Sequence, residues 1–536
     1  MLSPRTFCIG LLLFPVVPAF GQATRLSHLR TQAHASRASA AVASPQVRAI
    51  ILPIDGLETD SAQAIITRDL SYGDRVSVVV SNKPQAANAV VKAVATAQGV
   101  TVSLIDPLSG AVRQQGGFAL PIVSQPHEQA IADSLNQAFA ARDLARRTRI
   151  VRAETVRDSL QAETAKKPPR FRNKQAKEQY AAMVAQRDTL LRDALAAAAL
   201  IQGERERDEA SRASVQSAAI AQGELARDSI LQARRWALHG VSDVVEQWMT
   251  GHRGIAQSRI AYVSKGNIRV VDFDGANDHA VTHLNKPGVE AMSPAWRRDG
   301  AALVYSEMTD AGTQIAMVDL LTGKNNDLAA TPRGLNITPV FSTDDKWVIY
   351  ANGTDTRTSL VAVRPDDPAS LKRLPLTHLF DADEPILSPD GTRIAYVSSR
   401  PKTPQIYSSN LDGSDERVEA PAPPKTRVYH TSPDWSPDGR MIAYQQQNGD
   451  FQVWVVNRAD HKVRKLTSKG ENEDPSWAPD ARHIALTSNR GGAKAIWILD
   501  VQSGRFRQLT ASGDARLAAW SGDISSAVPH PVAMAR

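Results

Sequence analysis

The period of apolar positions changes twice along the chain, and the changes divide it into three zones. In the first zone, short apolar runs with two-residue alternation predict strands over 47–53, 76–80, 89–94, 100–105 and 112–118. A short helix is predicted over 60–70, capped by Asp60 or Ser61, and the turn 106–110 makes the last strands a meander. From about 127 to 235 the alternation stops and Ala, Arg, Glu, Gln and Asp take over, all common on helices. Pro168 and Pro169 break that run, Gly203 and Gly223 weaken it, and no strict heptad organises it. An Arg-Asp-Ser phrase recurs there, at Arg157-Asp158-Ser159 and Arg227-Asp228-Ser229.

The third zone returns to strands, and each is introduced by the same phrase. Its copies begin at 294, 339, 385, 433, 475 and, in worn form, 518, in steps of 45, 46, 48, 42 and 43 residues. That period belongs to four-stranded propeller blades, units that cannot bury their faces alone. A proline opens the phrase (Pro294, Pro339, Pro385, Pro433, Pro475), which suits a strand start or edge because proline has no N–H. Two residues later a large apolar side chain, in four copies tryptophan, is expected to face the neighbouring blade (Trp296, Phe341, Leu387, Trp435, Trp477, Trp520). An aspartate then begins a tight turn, often with glycine (Asp299, Asp344, Asp390, Asp438, Asp480). After Trp520 too little chain remains for three more strands, yet two orphan strands sit at 259–263 and 267–272. The C-terminal strand is therefore expected to join them in one blade, closing a ring of six and removing open edges.

The predicted fold class is multi-domain: a small α/β N-terminal domain, a long helical insertion, and a C-terminal six-bladed all-β propeller closed by its terminal strands. The expected boundaries are 1–23 for a signal peptide, 24–46 for a flexible leader and 47–126 for the α/β domain. They continue with 127–235 for the charged helical insertion, 236–257 for the last α/β helix and junction, and 258–536 for the propeller.

Composition narrows the function classes. The 536 residues carry a net charge of +7, a modest excess read as a soluble basic surface rather than a nucleic-acid groove. Arg5 followed by the apolar stretch 7–20 and small residues reads as a secretory signal, cleaved after Gly21 or Ala23. Cys8, the only cysteine, lies inside that signal, so no disulfide is expected, and no later segment is apolar enough to span a membrane. The sequence contains no Gly-x-Ser-x-Gly elbow, phosphate loop or His-Glu-x-x-His pattern, and no enzymatic activity is expected.

The junction Leu238-His239-Gly240-Val241-Ser242-Asp243, running on to Arg259-Ile260-Ala261-Tyr262-Val263, resembles that of the TolB family of periplasmic Tol-Pal components. Ile51-Leu52-Pro53 and Asp69-Leu70-Ser71-Tyr72-Gly73 add to the resemblance, whereas the helical insertion has no family counterpart. The resemblance implies a non-enzymatic, monomeric scaffold that supports outer-membrane integrity and constriction. It would dock the peptidoglycan-associated lipoprotein on the propeller and engage a TolA-type inner-membrane protein through the N-terminal region.

The family's lipoprotein contacts lie in the loops before the first strands of the blades. Here those loops contribute Glu290 and Met292; Arg333, Leu335, Asn336 and Thr338; Asp381, Asp383 and Glu384; His430 and Thr431; and Glu473 and Asp474. The second loop lacks the family's histidine. The carboxylates among these residues have two readings: complementarity to a partner, or convergence around the channel to hold a cation. No cofactor is otherwise expected. The one aspartate per blade turn is read as structural rather than catalytic, and His239 as a capping or packing residue rather than a ligand. An independent propeller binding a glycan or another protein is the alternative function, and a secreted peptidase propeller without its catalytic domain a further one.

Overall fold

The computed structural model describes residues 46–524, apart from 57–58, 82, 122–127, 165, 168, 330–333, 355–356, 377–380, 423–425 and 512. The expected signal peptide and nearly all of the leader lie outside the described residues.

The first zone folds as expected. Strand β1 (Val47–Ile51) is followed by β2 (Asp55–Gly56), α1 (Thr59–Tyr72), β3 (Val76–Val78), β4 (Ala89–Ala95), β5 (Gly99–Ile105) and β6 (Val112–Ala119). They form one mixed sheet in the order β3-β1-β4-β5-β6, with β1 parallel to both neighbours and the last three strands antiparallel. Helix α1 begins at Thr59, so Asp60 and Ser61 occupy its first turn rather than its cap. Ile65, Ile66 and Leu70 of α1 pack on Ala49, Val91 and Val102 of the sheet.

The second zone is a helical hairpin, α2 (Glu128–Thr164) and α3 (Lys174–Thr250), broken at the proline pair. Gly203 and Gly223 do not interrupt α3, which runs for 77 residues, about 115 Å at 1.5 Å per residue. The expected division at 235/236 is therefore no boundary: insertion and last domain helix are one helix. Its final turns carry Leu238, Val241 and Val245 into the α/β core. Gly251 ends it in the left-handed conformation (φ 77°) and returns its N–H to the Gln247 carbonyl. Half-buried positions recur on the arm at 150, 153, 157 and 160, and at 180, 184, 187, 191 and 194, one helical face each. Arg157 and Arg187 sit on those faces and each pairs with the aspartate beside it, at 2.8 Å. The polar residues at these positions hide the seam from a search for heptads.

The third zone is a ring of six four-stranded sheets. Arg516–Trp520 pairs with Arg259–Ser264, followed by Asn267–Asp272 and His279–Ala280, so the chain's end closes the blade that its earlier strands began. The other five blades open with Glu290–Trp296, Leu335–Phe341, Asp383–Leu387, Tyr429–Trp435 and Asn472–Trp477. These first strands pack on one another around the ring, so they line its axis. Tyr262, Tyr305, Tyr350, Tyr396 and Tyr444 occupy equivalent positions on the second strands and are fully buried. Each turn aspartate accepts a hydrogen bond from the backbone N–H two residues on (Ala301, Lys346, Thr392, Arg440, Arg482), the structural role expected of it.

The α/β domain docks on the turn end of the ring, through a network of buried charges. Arg75 reaches Asp480 at 3.1 Å and Glu246 of α3 at 3.5 Å. His483 bridges Asp480 at 2.8 Å and Asp74 at 3.2 Å, and Arg505 also pairs with Asp74. Beside it, Arg68 and Arg235 hold Asp274, while buried His239 bonds Asp69 at 2.7 Å. Burial pushes Glu246 up to about 8 and Asp243 up to about 7. Asp480 goes the other way: despite burial, His483 and Arg75 hold its carboxyl well below the usual range.

Candidate functional site

All blades carry their first strand in the same sense around the axis, so the starts of these strands face away from the end that holds the α/β domain. Every described residue of the expected partner set lies at those starts. Arg333 falls outside the described residues.

The proline of each phrase does not begin its strand. In every blade the first strand slips register by one residue at this point, between Met292 and Ala295, Ile337 and Val340, Asp383 and Ile386, Thr431 and Asp434, Glu473 and Ser476, and Arg516 and Ala519. A residue in the left-handed conformation sits at each slip: Ser293, Thr338, Glu384, Ser432, Asp474 and Leu517, all with φ between 48° and 55°. These are β-bulges, where proline is tolerated inside a strand because the ladder is already interrupted. The strain of a non-glycine residue at positive φ is offset by bonds between blades. The Thr338 N–H donates to Ser306 Oγ at 3.1 Å and the Asp474 N–H to Gln445 Oε1 at 2.9 Å. The Ser432 N–H donates to the Glu384 carboxylate, and the Leu517 N–H to Thr487 Oγ1 at 3.1 Å and Asp474 Oδ2 at 3.3 Å.

Glu384 and Asp474 therefore serve the ring as well as its surface: each carboxylate receives the strained N–H of the next blade. Burial raises Glu384 to about 7 and Asp474 to about 6, with the neighbouring carboxylates Asp383 and Glu473 adding to the effect. Asp383 is raised to about 6 by burial and by Asp381, whose side chain accepts the Thr358 N–H at 3.0 Å. Glu473 pairs with Lys494 at 2.9 Å, and Glu290 with Arg516 at 3.1 Å. The described side chains on this face thus include carboxylates that burial raises above the ordinary carboxylate range.

Other expected residues point inward. Asn336 is fully buried and spends its amide on the Thr313 carbonyl at 2.8 Å. His430 is buried against Tyr444, with Nδ1 2.9 Å from the Ala420 carbonyl and Nε2 3.1 Å from Gln446, and burial lowers its pKa. Met292 is buried as well, whereas Leu335 is exposed at the rim and Thr431 is half-buried.

Among the described residues, no set of three channel carboxylates brings its ligand atoms within 4.8 Å of one another. Among the described residues, sets of three potential ligands lying within 4.8 Å occur instead at the domain interface, as Asp69, His239 and Asp274 and as Asp74, His483 and Asp500. Guanidinium groups already balance those carboxylates: Arg68 and Arg235 on Asp274, Arg505 on Asp74, and Arg482 on Asp500 at 2.7 Å. His239 places its Nδ1 on Asp69 and its ring against Trp236. Sequence reasoning missed this interface because pairs such as Asp69 and His239, or Arg75 and Asp480, stand 170 and 405 positions apart. Only the Asp74-Arg75 and Arg482-His483 pairs, each beside a turn, hinted at it.

Residues 246–524 match the model of the TolB β-propeller domain, more than half of the chain. The chain belongs to the TolB family. Tol-Pal system protein TolB of Francisella tularensis subsp. mediasiatica is 26% identical over 270 residues, covering 47% of this chain and 60% of that protein. The Bordetella parapertussis TolB is 28% identical over 296 residues, covering 47% of this chain and 66% of the relative. These matches span less than two thirds of the relatives' own length. The crystal structure of TolB from Acinetobacter baumannii superposes with a TM-score of 0.59 at 18% identity, covering 90% of this chain and 98% of that one. It shares the fold, α/β domain and ring together. Among the described residues, no helix of this TolB-family chain is long and apolar enough to cross a membrane.

Proposed function

We propose that the chain is an exported periplasmic scaffold of the Tol-Pal system, with no catalytic role, acting as a monomer. It docks the peptidoglycan-associated lipoprotein on the propeller face remote from the α/β domain. It couples to a TolA-type inner-membrane protein through the N-terminal region, in support of outer-membrane integrity and constriction. The observation that carries this reading is the free face itself: six equivalent strand starts, stitched blade to blade, present Glu290, Leu335, Asp381 and Glu473 on a rigid ring. Rigidity lowers the ordering cost of binding, and a ring offers many loops to one partner at once. Membership of the TolB family supports the choice of partner.

The test is co-purification of the tagged full chain with the lipoprotein from mildly solubilised envelopes. Recovery of the lipoprotein as a stoichiometric partner is expected. Its absence, with the ring intact by circular dichroism, would favour an independent propeller that binds a glycan or another protein.

A further inference from the structure

The arm formed by α2 and α3 ends in a tip whose charges are of one sign. Residues 164–177 contain the six cations Lys166, Lys167, Arg170, Arg172, Lys174 and Lys177 and no Asp or Glu. All six are exposed. Among the described residues the acidic partner recorded for this group is Glu178, 4.0 Å from Lys174, a loose surface pair. Within this basic cap the loop folds back along α3, and Phe171 packs on Tyr180 with ring centroids 5.1 Å apart. The two rings, Pro169 and Met183 line an open groove of about 460 Å³, with Phe171 still 36% and Met183 59% exposed. The stem, from Arg234 anchored on the Ala97 and Pro121 carbonyls to Lys174, spans about 90 Å at 1.5 Å per residue. Solvation of a charged helical hairpin explains alternating signs along its length. It does not explain one sign gathered at the tip around exposed apolar side chains.

We propose that the arm's tip docks on an anionic phospholipid bilayer surface, with the six cations on lipid phosphates and Phe171 and Met183 entering the interface. The charge complementarity is direct, and basic residues set around aromatic and apolar side chains are the composition that interfacial binding requires. A protein partner with an acidic face would also satisfy the charges. A bilayer interface takes up the cations and the exposed apolar side chains together, which favours it as the occupant of a tip carried on a stem of about 90 Å. The inference goes beyond the docking of the lipoprotein and does not depend on it, because the propeller and the tip are different surfaces.

The test is co-sedimentation of the purified full chain with vesicles of phosphatidylcholine alone and of phosphatidylcholine mixed equally with phosphatidylglycerol. Binding to the mixed vesicles only, weakening as salt is raised, is expected. Each cation near such a surface changes partition by about fivefold, so Arg170→Gln, Arg172→Gln, Lys174→Gln and Lys177→Gln together are expected to weaken binding by at least about fiftyfold. Phe171→Ser with Met183→Ser is expected to leave the charge-driven encounter and weaken retention several-fold. All six substituted side chains are exposed, and an unchanged helical spectrum checks that the arm still folds. Equal binding to both vesicle types, no binding at low salt, or full binding by the neutralised variant would each overturn the proposal.

Discussion

Glu246→Gln separates two accounts of the domain interface. Glu246 lies near the end of α3 with its side chain 4% exposed, 3.5 Å from Arg75 and in the field of Asp243 and Asp480. Burial, reinforced by those two carboxylates and opposed by Arg75, moves its pKa from 4.5 to about 8. The folded protein thus keeps a proton that the unfolded chain has released, so this group's contribution is fully present below the unfolded pKa and is lost as pH rises through the folded one. At 1.36 kcal/mol per pH unit the interval sets a ceiling of about 5 kcal/mol. Glutamine is neutral throughout and keeps a carbonyl for Arg75. Urea unfolding of the full chain, followed by tryptophan fluorescence, is expected to find the variant close to wild type near pH 5. Near pH 9 the variant should be more stable by about 1–3 kcal/mol, below the ceiling because relaxation and water penetration around a buried carboxylate reduce its penalty. A variant less stable by the same amount at both pH values would refute the argument, since Glu246 would then act as an ionised partner of Arg75.

Four further substitutions probe the ring and its seat. Trp520 closes the last blade, 6% exposed, with its indole N–H on Ser258 Oγ at 2.9 Å, so Trp520→Ala is expected to cost about 3–5 kcal/mol by denaturant titration. Asp480→Ala removes the nearer carboxylate from both Arg75 and His483 and is expected to cost about 3 kcal/mol or more, whereas the equivalent change at the exposed turn residue Asp344 should stay within the scatter of surface substitutions. Gly73→Ala drives a Cβ into the Glu246 carboxylate, and thermal melts should show a loss equivalent to about 1–3 kcal/mol.

The ring was legible because its signals are local and repeated. Proline, aromatic and Asp-Gly fall within seven residues, and six copies average out the worn ones. The closure was legible from a shortage of chain after Trp520. The bulge was not, because a proline by itself reads as a strand start, and only the pairing register reveals that Thr338 or Glu384 is left-handed before it. Gly203 and Gly223, read as weak points, leave α3 continuous for an energetic reason: a helical glycine costs about 1 kcal/mol, and their alanine-rich flanks absorb it. At the candidate face, loop position was readable while side-chain direction was not. Asn336 and His430 stand in loops by sequence, yet both turn inward, because a strand start at the channel wall presents alternate residues to opposite sides. The interface charges were barely legible, since partners such as Arg75 and Asp480 stand 405 positions apart.

A photo-crosslinking amino acid placed at Leu335, exposed on the free face, and separately at Arg440, on a turn at the opposite end of another blade, tests the docking claim most directly. The account predicts that the full chain crosslinks to the peptidoglycan-associated lipoprotein from position 335 and not from 440. Crosslinking from 440 alone, or from neither position while the two proteins still co-purify, would contradict it.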